Sequence, residues 1–251
     1  MATDDPTRAL LLIGDIGGYT RFMRLHRLSL AHSQEITGRL LRAMTEAADR
    51  LELVELEGDA AFFYAPEADV GEAALASVAA EQSVAMHQTF HTERQRMVAL
   101  NMCNCDACRQ AGDLKVKFVA HRGEVAAQTV KRRLNVVGVD VIAVHQTLKN
   151  AVPVPEYILM TDAVFRRFEP LVRDRARSVE QEIEGLGRAK IYFVDMGELA
   201  ADLPLPPKAT GAKRLATTVG VMFHDMPYLL GLKKRRSLTP ATSDPRKTAE
   251  V

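Results

Sequence analysis

Apolar residues run without a polar break over residues 9–13, the pattern of a strand buried on both faces. The run ends on Gly14-Asp15 and opens into Ile16-Gly17-Gly18-Tyr19-Thr20. An acid at the end of a buried strand can leave the core and meet a ligand, and the glycines let the backbone come close to a phosphate. Thr20 reads as the N-cap of a helix over 21–28. After Ser33, Ile36, Leu40, Leu41, Met44 and Ala48 recur at mostly helical spacing. Two β-prone runs, 51–57 and 60–64, flank Gly58-Asp59 and predict a tight hairpin closed by Pro66. Residues 70–100 are Ala-rich and read as a helix or helix pair. Alternation at Leu114, Val116, Phe118 and Ala120 predicts a strand, followed after Gly123 by a second over 125–130 and a basic turn, Lys131-Arg132-Arg133. Gly138 opens a helix over 139–150. A strand over 157–161, a short helix over 162–168 and a strand pair at 178–183 and 190–194 complete the pattern.

Interleaved strands and helices with adjacent hairpins predict an α+β domain over residues 8–200. Its sheet should be mixed or mostly antiparallel with helices on one face, not doubly wound. After Pro204, Pro206 and Pro207 the character changes to a basic amphipathic tail, 201–251. Leu215, Val219, Met222, Met226, Leu229 and Leu230 recur at mostly helical spacing there, broken by Pro227 and followed by Lys233-Lys234-Arg235-Arg236. Packing on its own domain or a dimer mate is the favoured reading of this tail, ahead of a membrane surface, and residues 242–251 read as disordered.

Composition narrows the classes. The 251 residues are 47% hydrophobic, enough for one good core. A net charge of +1, few aromatics and no Trp argue against a nucleic-acid partner. No secretory leader and no run of the roughly 20 apolar residues that a membrane span needs are visible. Three cysteines make no disulfide scaffold, so the expectation is a reduced, cytoplasmic protein.

Two acids sit at special backbone positions, Asp15 and Asp59. If the strands bearing them are neighbours, the carboxylates repel unless a cation lies between them or one is protonated. Oxygen-only ligands beside glycine backbone suit Mg²⁺ or Mn²⁺ with phosphate oxygens completing the shell. Spacing alone is satisfied as well by a turn Asp and a strand-end cap that never meet, and by itself favours that plainer reading. Cys103, Cys105 and Cys108 suit Zn²⁺, with His87, His91, His121 or a dimer mate's residue as fourth ligand. The plainer alternative is three reduced loop thiols or a redox-labile pair.

Taken in order, these stretches resemble the class III nucleotide cyclase catalytic domain. Gly14-Asp15-Ile16-Gly17-Gly18-Tyr19-Thr20 resembles its Asp-Ile-x-Gly-Phe/Tyr-Thr signature, and Glu57-Gly58-Asp59 its second metal motif. His121-Arg122-Gly123-Glu124-Val125 resembles its His-x-Gly-x-Val turn, Gly138 and Val141 the start of its Gly-x-x-Val-Asn helix, and residues 185–194 its closing strand pair. The resemblance implies a ferredoxin-like core and a head-to-tail homodimer with shared sites. It implies Asp15 and Asp59 as Mg or Mn ligands assisted by the Ile16 carbonyl, with Gly17, Gly18 and Thr20 beside the nucleotide. Glu55 and Asn135 stand at the purine-reading positions: Glu55 is the residue type of guanylate-specific relatives, and Asn135 replaces an adenine-reading Asp.

The departures bear on function. Ile142 and Gln146 stand where the family carries its transition-state Asn and Arg. Losing one preorganised donor typically costs about 10²–10³ in rate. Lys149 could supply a substitute cation, though a helix C-terminal Lys complementing the dipole is the simpler reading. The sequence therefore points to a degenerate cyclase-like homodimer that binds metal and a nucleotide or phosphate ligand in a regulatory or scaffolding role. A slow nucleotide cyclase acting on ATP or GTP is the first alternative, and a zinc-stabilised structural dimer without ligand the second.

Overall fold

The computed structural model describes residues 6–25, 30–100, 106–130, 133–183 and 187–199. Cys103, Cys105, the basic turn at Lys131-Arg132 and the tail from 201 onward lie outside the described residues. In chain order the elements are β1 (Thr7–Gly17), α1 (Tyr19–Leu25), α2 (Leu30–Ala47), β2 (Glu52–Glu57), β3 (Ala60–Pro66), α3 (Glu67–Val70) and α4 (Leu75–Leu100). Then follow α5 (Asp106–Gln110), β4 (Lys115–Val130), β5 (Arg133–Val137), α6 (Val139–Thr147), β6 (Tyr157–Thr161), α7 (Asp162–Phe165), α8 (Pro170–Arg175), β7 (Arg177–Ile183), β8 (Gly187–Asp195) and α9 (Met196–Leu199).

The strands form an eight-stranded sheet in the order β2-β3-β1-β4-β6-β8-β7, with β5 paired to the far half of β4. Only the β4–β6 pairing is parallel; the other pairings are antiparallel. The fold is thus α+β with a mixed, mostly antiparallel sheet. No helix among the described residues is long and apolar enough to cross a membrane.

Strand β1 takes an interior place in the sheet, between β3 and β4, because residues Ala9 to Ile13 are apolar on both parities and fully buried. Leu10, Leu12 and Ile16 enter one core with Leu40 and Met44 of α2 and Met86 and Phe90 of α4. Ala9, Leu11 and Ile13 enter a second core on the opposite face, with Val144 of α6. This corrects the expectation of helices on one face. The α6 stretch carries Val141, Val144 and Leu148 on one side, and that side covers the second face of β1 and β4.

Two local expectations also shift. Gly123 does not divide two strands; β4 runs unbroken through it. A Cβ there would lie 2.2 Å from Asp140 Cβ, so glycine is what admits the start of α6. Asp140 uses that closeness to accept the Glu124 N–H at 2.7 Å and to meet His121 Nε2 at 2.9 Å. The helix expected after Ser33 opens earlier, at Leu30, because Ser33 is itself buried and its carbonyl accepts the Thr37 hydroxyl at 2.9 Å.

Candidate functional site

Strand pairing brings the two acids to one edge. β1 lies between β3 and β4, with Asp15 opposite Ala60 on one side and Lys117 on the other. Asp59 immediately precedes Ala60, and its carbonyl accepts the Ile16 N–H at 3.1 Å. Gly58, at φ +67°, makes the turn that places Asp59 there. Gly18, at φ +86°, turns the chain away from β1, and its carbonyl accepts the Phe22 N–H at 2.9 Å. Helix α1 therefore begins at Tyr19, and Thr20 is an exposed residue inside it instead of its N-cap.

Strand parity puts Asp15 and Lys117 on the face covered by α6. Lys117 Nζ bridges Asp15 Oδ2 at 3.0 Å and the Leu148 carbonyl at the end of α6 at 3.5 Å. An ammonium suits that carbonyl because a helix C-terminus carries partial negative charge. The hairpin bearing Asp59 is tied to the same helix: His145 Nδ1 lies 3.4 Å from Glu57 Oε2, and its ring meets Phe62 edge-on.

Burial, and next the charge of Asp15, push the Asp59 carboxyl up to about 6. The Tyr19 hydroxyl is pushed up too, by burial and then by Asp59. The two acids therefore feel each other, and a cation placed between them would relieve the repulsion. A carboxyl raised from 3.8 to about 6 favours folding in its protonated form. That contribution is complete below pH 3.8 and is lost as pH rises through about 6. In metal-free protein, Asp59→Asn should melt above wild type at pH 7.5. The difference should close as pH falls below about 4, and thermal melts across pH 4–8 check it.

The remaining candidates are dispersed around this edge. Glu55 is exposed on β2, opposite Phe62, and Asn135 is exposed on β5, opposite Gln128. Strands β2 and β5 touch. Ile142 is 58% exposed on α6, Gln146 is half-buried and Lys149 is exposed beyond the helix end. Cys108 Sγ faces His32 Nδ1 at 3.9 Å. His121 is held by Thr161 Oγ1 at 2.8 Å and by Asp140, while His87 and His91 meet each other and Glu156. Sequence reading passed over Lys117, whose only signal is its place on the polar parity of β4; the partner across the ladder is Asp15.

A family model described as a protein of unknown function (DUF2652) matches residues 37–157. The uncharacterized protein Rv2561/Rv2562 of Mycobacterium tuberculosis (strain ATCC 25618 / H37Rv) is 39% identical over 196 residues, covering 78% of this chain and 89% of that protein. This chain belongs to that protein's family. Among solved structures, the adenylyl cyclase CyaB from P. aeruginosa superposes with a TM-score of 0.57 at 16% identity, covering 76% of this chain and 94% of that one. The guanylate cyclase domain of RhGC from Catenaria anguillulae, in complex with GTP, gives 0.54 at 15% identity, covering 76% and 97%. The likeness is one of fold: the chain has the class III nucleotide cyclase fold in a divergent form.

Proposed function

We propose that this protein is a cyclase-fold homodimer that holds a divalent metal and a nucleotide or related phosphate ligand at Asp15 and Asp59, and that it regulates or scaffolds instead of turning substrate over. The observation carrying this reading is geometric: the β1–β3 register sets Asp15 opposite Ala60, and the Asp59 carbonyl accepts the Ile16 N–H at 3.1 Å, so both acids stand at one end of adjacent strands. The upward push on the Asp59 carboxyl, to about 6, agrees with that closeness. Among the described residues, Lys117 is the cation found beside this pair of acids. The donor set fits Mg²⁺ or Mn²⁺, which take carboxylate and carbonyl oxygens. Asp15, Asp59 and the Ile16 carbonyl would hold the ion, and the ion would neutralise phosphate charge. Lys117, displaced from Asp15 by the metal, would keep a cation within reach of the same phosphates.

The case against turnover rests on α6. The positions that would steady developing charge carry Ile142 and Gln146, and preorganised donors are usually the largest single contribution to such catalysis. A fold shared with cyclases does not supply the missing groups. Self-association is supported by apolar side chains left in solvent on β2, β5 and α6: Leu53, Leu56, Val137, Val139 and Ile142.

Turnover decides between this reading and a slow cyclase. With Mn²⁺ and ATP or GTP, cyclic nucleotide should stay at the no-enzyme background. Product formation abolished by Asp15→Ala would make the protein a cyclase.

A further inference from the structure

On the other face of the same sheet lies a polar cluster that the acid pair does not use. His87 and His91 sit one turn apart on α4, so both rings project from one side. They are 2% and 1% exposed and are surrounded by core residues of that helix, Met86 and Phe90 among them. Their Nε2 atoms are 3.1 Å apart. Glu156 Oε1, arriving at the start of β6, lies 2.8 Å from His91 Nε2 and 3.7 Å from His87 Nε2.

Protons alone do not satisfy this triangle. A ring nitrogen carries at most one hydrogen. If His91 Nε2–H points at Glu156, it does not also point squarely at His87. If His87 donates to His91 instead, a nitrogen lone pair faces a carboxylate oxygen at 2.8 Å. If both rings donate to Glu156, His87 must do so across 3.7 Å, too far for a good hydrogen bond. Each choice leaves an imperfect contact between nearly dry groups, where such contacts are most unfavourable. Protonating both nitrogens of His91 does not help, because its Nδ1 is buried with no hydrogen-bond partner among the described residues, as is that of His87. A cation changes the sign of every contact: three lone pairs then point at one positive centre.

We propose that His87, His91 and Glu156 form a divalent transition-metal site, with Zn²⁺ as the fitting ion. Two imidazoles and one carboxylate are a zinc donor set, and the three ligand atoms are spaced as neighbours in a tetrahedral shell. The supporting contacts are present. Glu156 Oε1 also accepts the Val116 N–H at 3.1 Å, and Lys115 Nζ stands 3.8 Å from Oε2. Glu156 is the ligand that reaches solvent, at 15% side-chain exposure, and it gives the ion a way in. The metal would staple α4 to the starts of β4 and β6. Lys115 is paired with Gly17, so this staple holds the same sheet end that carries Asp15 on the opposite face. The inference does not depend on nucleotide binding at Asp15 and Asp59.

The test uses the full chain, stripped with a chelator and titrated with Co²⁺ as a visible probe in excess Mg²⁺, which occupies oxygen-only sites. Wild type should take up one equivalent with ligand-field absorption of a low-coordinate nitrogen–oxygen site. The spectrum should survive Ser at Cys103, Cys105 and Cys108 together. His91→Gln should weaken uptake by at least about 100-fold, more than the 10–100-fold that supporting residues cost. Glu156→Gln, which keeps the shape and can still accept from Val116, gives the same answer if His91→Gln does not fold. Zn²⁺ should also raise the melting temperature of stripped wild type and leave Glu156→Gln unchanged. No absorption in wild type, loss of the spectrum with the serine variant, or indifference to both His91→Gln and Glu156→Gln would each overturn the proposal.

Discussion

Asp59→Ala is expected to weaken binding of a manganese–nucleotide complex by at least about 100-fold, or roughly 2.7 kcal/mol. Asp15 is already engaged by Lys117 at 3.0 Å, so Asp59 is the acid without a direct ion pair to that lysine, which offsets its charge only from a distance. Without it the ion would face one carboxylate already neutralised by a lysine. The fold should tolerate the change. Asp59 is a turn residue, the bond to Ile16 N–H comes from its main-chain carbonyl, and its ionised side chain is disfavoured by burial and by Asp15. Calorimetric titration gives the affinity, and a melting temperature at or above wild type would show that the loss is local.

Phe118→Ala should be the most damaging of these changes to stability, at about 3–5 kcal/mol. The ring is fully buried near the start of β4, and its residue pairs with Gly14 of β1 on one side and Ile158 of β6 on the other. Gly14 leaves room for Met44 and for this ring: a Cβ there would lie 2.7 Å from the Met44 terminal methyl and 3.2 Å from the Phe118 ring. Truncation would open a void next to the strand end that bears Asp15. At roughly 2–4 °C per kcal/mol for a domain of this size, the midpoint should fall by about 10 °C. Differential scanning calorimetry measures it. Because natural domains are stable by only about 5–15 kcal/mol, partial unfolding at room temperature is within the expected range.

Local signals made much of this fold legible. The unbroken apolar run of β1, the Gly58-Asp59 turn and the alternation that opens β4 each act through neighbours in sequence, and β1, the β2–β3 hairpin and the first part of β4 formed where those patterns indicated. What depended on long-range packing was not legible. Helix α6 covers the second sheet face through Val141, Val144 and Leu148, but its apolar content alone does not say which face it takes. Gly123 reads as a break, yet it is a clearance for Asp140, seventeen residues onward. The same division holds at the site. Asp15 and Asp59 stand out because each follows or occupies a special backbone position. Lys117 is one polar residue among several on its strand until the β1–β4 register sets it opposite Asp15. The His87–His91 spacing is visible on the helix, but Glu156 lies 65 residues beyond His91, and only the parallel pairing of β4 with β6 brings it there.

Titration calorimetry of the wild-type chain tests most directly whether the Asp15–Asp59 edge holds a metal-dependent phosphate ligand. GTP and ATP are titrated in turn, with Mn²⁺ and then with chelator in its place. The prediction is saturable binding of at least one nucleotide with Mn²⁺ and its loss with chelator. No heat of binding with Mn²⁺ for either nucleotide, or equal binding with and without the metal, would contradict it.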